Sequence, residues 1–201
     1  MGRHLPVVVP FKEGQQIGRA YNREMERLPD DGWTVFLDYD VMIMNPHWHE
    51  ICCRAINRVG DRAGLITCFT NRIGCKTQVA PGVDPDNFDM HYHREFARKL
   101  WQTRKGTIHD HTDTRGCRFS GFFMLTSRRA WERAGRFKTD SFFHVDVDYY
   151  DKVKRAGMRV YLLEDLYCFH MYLREVLSPF FTEDPNAQVK ENPRTPKQVT
   201  V

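Results

Sequence analysis

The chain lacks any apolar stretch approaching the roughly 18 residues of a membrane-spanning helix, so no transmembrane segment is expected. Its opening, MGRHLPVVVP, holds too short an apolar run for a secretory leader. Pro6 stands where a myristoylation signal would place Ser or Thr. No charge of one sign dominates. The formal net charge is +4 with both signs mixed along the chain, which favours a polyanionic small ligand and gives no reason to expect nucleic acid. None of the six cysteines forms a Cys-x-x-Cys pair. Cys52 and Cys53 are adjacent on an expected helix, and Cys68 and Cys168 fall in apolar strand runs. Free thiols in a cytoplasmic protein fit this pattern better than a disulfide frame or a zinc site. Internal repeats are also missing.

What is present is the composition of a globular chain, with 41% hydrophobic and 13% aromatic residues in 201. One domain is expected over 1–180. A tail over 181–201 carries Pro185, Pro193 and Pro196 and few large apolar groups. Short β-branched or aromatic runs predict strands at 7–9, 33–37, 64–69, 122–126, 159–163 and 167–170. Helical spacing of apolar residues predicts helices at 15–28, after Asn45-Pro46, at 87–104, at 128–134 and at 148–156. Residues 71–86 and 105–118 read as loops. Strands alternating with helices indicate an α/β fold with a mostly parallel central sheet flanked by helices.

Asp38-Tyr39-Asp40 ends the buried run Trp33–Leu37. Two carboxylates one residue apart repel each other at the strand edge where α/β sheets bind ligands. A hard divalent cation, Mg²⁺ or Mn²⁺, removes that repulsion. The alternative is a helix cap beside a turn acid.

Four segments in one order resemble the GT-A fold of family 2 glycosyltransferases. They are Val7-Val-Val-Pro10; Ala20-Tyr-Asn22 with Phe36-Leu-Asp-Tyr-Asp40; Ser120-Gly-Phe-Phe-Met-Leu-Thr-Ser-Arg128 with Gly135-Arg-Phe137; and Val145-Asp-Val-Asp148 with Lys154-Arg-Ala-Gly157, Val160-Tyr161 and His170. They touch most of 6–172. Two departures stand out. About 25 residues separate the first strand's loop from the Asp38 strand, a shortened nucleotide-binding half. Val145 stands where the family often has Glu.

The resemblance implies an inverting transferase that moves a sugar from a nucleoside diphosphate, uridine diphosphate by default, to an acceptor hydroxyl. It implies a metal held by Asp38, Asp40 and His170, and Asp146 as general base. Pro10, Lys12, Arg19, Asn22, Asp38, Tyr39 and Arg72 would hold the donor. Gly121, Phe122 and Asp148 would face the acceptor. If a helix has already begun at Asp148, that residue is structural instead.

Other readings compete. A metal-dependent nucleotidyltransferase would want a glycine-rich, lysine-bearing loop, and Pro10-Phe-Lys-Glu-Gly14 has one glycine. A non-catalytic sugar- or nucleotide-binding protein on the same fold is the other alternative. The pairs His91/His93 and His109/His111 could form a transition-metal site, but His91 and His93 would point apart on a helix. Trp101 and Trp131 could stack on sugars, or be core.

Overall fold

The computed structural model describes residues 4–10, 16–114, 118–140 and 143–172. Met1–Met171 forms one compact unit, and Tyr172–Val201 a second that, apart from Tyr172, lies outside the described residues along with the expected tail. The described elements run β1 (Val7–Val8), α1 (Ile17–Arg27), β2 (Trp33–Leu37), β3 (Val41–Ile43), α2 (Trp48–Val59), β4 (Ala63–Thr70), α3 (Met90–Arg104), β5 (Ile108–Asp110), β6 (Phe123–Ser127), α4 (Arg128–Ala134), α5 (Val145–Arg155) and β7 (Arg159–His170).

The fold is α/β with an open seven-stranded sheet in the order β1-β2-β6-β4-β7-β3, and β5 also pairs β7. The expectation of a mostly parallel sheet is corrected. Only β1–β2 and β4–β7 pair in parallel; β2–β6, β4–β6, β3–β7 and β5–β7 are antiparallel. The directions still share a logic. Because β6 runs against both β2 and β4, the strands β1, β2, β4 and β7 all point the same way. Their C-terminal ends therefore reach one edge of the sheet. That edge carries Pro10, Asp38, Asn71 and His170 just past or at the strand ends.

Alternation along the strands divides the core between two faces. Phe36, Leu65, Phe69, Met124, Val160, Leu162 and Tyr167 face α1, α4, α5 and part of α3. Val35, Leu37, Ile66, Cys68, Phe123, Leu125, Leu163 and Cys168 face the buried stripe of α2, which is Ile51, Cys52, Ala55, Ile56 and Val59. The stripe follows the i, i+3, i+4 spacing that predicted this helix. Helix α1 approaches the chain at Lys138 so closely that a Cβ on Gly18 would sit 1.8 Å from the Lys138 carbonyl oxygen. Helix α4 starts where the Ser127 hydroxyl accepts from the Ala130 N–H, and stops at Gly135, whose φ of 100° a residue with a Cβ rarely adopts.

Three local expectations change. The predicted strands at 159–163 and 167–170 are one twelve-residue strand, β7, with an irregularity opposite Cys68/Phe69. The loop read at 105–118 contains β5, and the chain after Asp40 forms β3. Helix α5 begins at Val145 rather than Asp148, so Asp146 and Asp148 both lie in its first turn. No helix among the described residues is long and apolar enough to cross a membrane.

Candidate active site

Asp38 and Asp40 stand in the tight turn leaving β2. The Val41 N–H closes that turn onto the Asp38 carbonyl at 3.2 Å, and the Asp38 N–H donates to the Phe122 carbonyl at 3.0 Å. β3 then pairs antiparallel with the end of β7, setting Val41 opposite His170. The Met171 N–H donates to the Asp40 carbonyl at 3.0 Å. This pairing delivers an imidazole from the far end of the sheet to the two early acids. One ligand atom from each of Asp38, Asp40 and His170 lies within 4.8 Å of the others, and His170 Nε2 is 3.4 Å from Asp40 Oδ1. Asp40 and His170 are buried, Asp38 half-buried.

The His170 backbone is held by a residue that the sequence did not single out. Asn71, just past β4, accepts from the His170 N–H at 2.8 Å and donates its amide to the His170 carbonyl at 3.2 Å. Thr70 Oγ1 lies 3.2 Å from the same Asn71 oxygen. The available signal was a polar residue closing a fully buried strand. Behind the histidine, the Phe122 ring stacks on the imidazole with centroids 5.8 Å apart.

Asp146 is tied to the same stretch of chain. Its Oδ2 accepts from the Gly121 N–H at 2.8 Å. A Cβ on Gly121 would come within 2.7 Å of the Asp146 Cβ, so only glycine lets the first turn of α5 approach this closely. The segment 120–122 thus touches all three parts of the site: Gly121 holds Asp146, and Phe122 holds Asp38 and backs His170. Tyr21, buried on α1, faces the same carboxylates. Burial first, and then the charges of Asp38 and Asp146, raise its phenol well above the usual tyrosine value, keeping it neutral.

No protein-family model and no curated protein matches this chain.

The remaining expected site residues divide by position. Tyr39 is 63% exposed between the two acids, and burial, Asp40 and Asp38 raise its phenol. Pro10 is half-buried at the same sheet edge, Arg19 is exposed on α1, and Lys12 lies outside the described residues. Arg72 follows Asn71 but is drawn away, donating to Asp86 Oδ1 at 2.5 Å and the Pro85 carbonyl at 2.9 Å. Asn22, expected to hold the donor, is buried. Its oxygen accepts from the Trp131 indole and the Phe137 N–H, both at 2.9 Å, and its amide donates to the Phe137 carbonyl at 2.9 Å, tying α1 to α4 and the chain beyond. Phe122, expected at the acceptor, is fully buried behind His170. Asp148 pairs one turn along with Lys152 at 2.7 Å, the structural alternative foreseen for a residue inside a helix.

Trp131 is core, with Arg128 and Arg136 lying 4.9 and 5.0 Å from its ring. Trp101 stacks on His47 at 4.8 Å. His93 is buried between the Asn87 carbonyl and the Tyr167 hydroxyl, and His91 is exposed, so the two do point apart. His109 lies 3.1 Å from Glu164, and His111 3.2 Å from Thr114.

Proposed function

We propose that this chain is a metal-dependent inverting glycosyltransferase of GT-A type, family 2-like with a shortened nucleotide-binding half, moving a sugar from a nucleoside-diphosphate sugar to an acceptor hydroxyl. One observation carries the reading: Asp38, Asp40 and His170 converge within 4.8 Å at the edge where the co-directional strands end, and Asp146 is held by Gly121, next to the Phe122 that backs His170. Two carboxylates and one imidazole suit Mn²⁺, and Mg²⁺ less well because of the nitrogen donor. Bound there, such an ion supplies Lewis acidity toward the oxygens of a diphosphate leaving group.

The chain's own groups supply the rest. Asn71 and Phe122 fix the imidazole, so the ligand set is preorganised. Tyr39 offers an exposed ring and hydroxyl beside the donor. Asp146 is the base: Gly121 fixes its Oδ2, leaving Oδ1 to take the acceptor hydroxyl's proton as that oxygen attacks opposite the diphosphate. Direct pairing of β1 with β2, with no strand between them, goes with the shortened half. Uridine diphosphate is the default donor nucleotide. A reducing compartment, the cytoplasm first, suits Cys68 and Cys168, whose sulfurs sit 3.5 Å apart as free thiols.

Calorimetry with uridine diphosphate and Mn²⁺, followed by a screen of nucleotide sugars for hydrolysis and transfer, tests this. The Asp40→Ala variant should lose metal-dependent nucleotide binding. Undiminished binding in that variant refutes the metal site. Nucleotide binding with no sugar turnover would favour a non-catalytic binding protein, and release of pyrophosphate from a nucleoside triphosphate would favour a nucleotidyltransferase.

A further inference from the structure

One turn along α5 from Asp146, at Tyr150, begins the wall of a cavity of about 930 Å³ that the transferase reading leaves unassigned. Lys76, Thr77, Arg118, Ser120, Tyr150 and Lys154 line it. Two ties connect its walls to the base. On α5, Asp146, Tyr150 and Lys154 follow at intervals of four, so the helix face that presents the base also presents this wall. Across the cavity, Gln78 locks Ser120 on both sides: its oxygen accepts from the Ser120 N–H at 2.7 Å and its amide donates to the Ser120 carbonyl at 3.1 Å. The same short 3-10 turn, Lys76–Gln78, carries Lys76 and Thr77. Ser120 in turn precedes Gly121, which holds Asp146.

Among the described residues, the charges lining the cavity do not balance. Its acids are already engaged, Asp151 with Arg118 at 3.4 Å and Asp113 with Arg159 at 3.0 Å. Among the described residues no acid pairs with Lys76 or Lys154, and the Lys154 ammonium instead lies 5.6 Å from the Tyr150 ring. These two lysines, beside the hydroxyls of Thr77 and Ser120, make a wall suited to an oxyanion with hydroxyls around it.

We propose that this cavity is the acceptor pocket and that the acceptor carries an anionic group, a phosphate or a carboxylate, read by Lys76 and Lys154. The acceptor role rests on the transferase reading above. Lys154 lies about 12 Å along the helix from Asp146 at the usual rise per residue. The charge therefore belongs to a neighbouring unit or substituent of the acceptor, not to the carbon bearing the attacking hydroxyl.

The test uses the full chain and three probes sharing a non-reducing glucosyl unit: maltose, maltose 1-phosphate and maltobionate. Affinities come from calorimetry, and contact sites from amide shifts in NMR spectra. At least one anionic probe should bind about tenfold or more tighter than maltose, as two charge-assisted contacts would give, and should shift amides near Lys76, Ser120 and Lys154. The preferred anion identifies phosphate or carboxylate as the group recognised. In the Lys76→Gln/Lys154→Gln variant, whose melting temperature should stay unchanged because neither lysine is buried, the preference should vanish. Equal affinity for all three probes, no binding by any of them, or a preference kept in the folded variant would each overturn the proposal. Wild-type binding of uridine diphosphate with Mn²⁺ is measured alongside. If that fails while the anion preference holds, the transferase reading and the acceptor role fall, and the cause is distinct from a missing anion site.

Discussion

At the scale of single residues, catalysis would depend on how closely Gly121 and Asp146 approach. Asp146→Asn keeps an oxygen to accept the Gly121 N–H but cannot take a proton. Transfer should therefore fall by roughly 10²–10⁴, the usual worth of a general base, while metal-dependent nucleotide binding persists. Transfer at the wild-type rate would remove Asp146 from the chemistry. Gly121→Ala asks a different question. The added methyl would meet the Asp146 Cβ at 2.7 Å and Met124 Sδ at 3.3 Å. Something must move, and the 2.8 Å bond to Oδ2 is the contact at risk. Overpacking of this kind costs about 1–3 kcal/mol. We expect a lower melting temperature and a drop in kcat with little change in the donor's KM. A loss confined to donor KM would mean that Gly121 serves the nucleotide instead.

At the scale of elements, the decisive joint is where β4 and β7 end side by side. Asn71 makes two bonds to the His170 backbone there, in a buried setting. Asn71→Ala leaves the His170 N–H and carbonyl short of partners, at about 1–3 kcal/mol. It also frees the strand end that aims the imidazole, and supporting groups of this sort are worth about 10–100-fold in metal affinity. Titration of Mn²⁺ followed by electron paramagnetic resonance should show weaker binding in a variant that still folds; unchanged affinity would confine Asn71 to stability. The sequence displayed Asp38 and Asp40 because acids at a strand end are a local pattern, whereas His170 was named only through the resemblance. It hid Asn71, whose role exists only once β4 and β7 are neighbours. It also started the last helix late, at 148, because the period of two in Val145-Asp-Val-Asp148 carries no helical signal. Residue 144 offers no usual cap: it is a histidine at φ 61° with no side-chain capping bond. The buried set Val145, Tyr149, Tyr150 and Val153 shows that a helical period governs. β5 escaped notice because Ile108-His-Asp110 is a polar strand on β7's far edge. Strand direction was illegible for a deeper reason: β6 reverses between β2 and β4 through pairings that no local pattern encodes.

For the molecule as a whole, β7 is the spine, and buried acids cross it at mid-length. That is why it reads as two strands in sequence. Glu164 and Asp165 are buried and paired, Glu164 with Arg104 and His109, Asp165 with Arg54 and the Gly106 N–H. They fall between the stretch of β7 that pairs β5 and the stretch that pairs β3. Burial raises the Asp165 carboxyl above its ordinary value, and neither the Gly106 N–H nor the Arg54 guanidinium offsets that fully. The sign of the consequence follows. A carboxyl whose pKa is higher folded than unfolded holds its proton more tightly in the native state. Asp165 therefore withholds stability at neutral pH and returns it as the pH falls from above the raised value toward the ordinary carboxylate pKa of about 3.9. Other carboxylates titrate over the same range, so the measurement has to be a difference. Urea melts of the wild type and Asp165→Asn across pH 7 to 4 isolate it, because the amide keeps the shape and cannot titrate. The wild type should gain on the variant as the pH falls. A difference that shrinks on acidification would mean that Arg54 and Gly106 outweigh burial, and that this acid pair stabilises the spine at neutral pH instead of straining it.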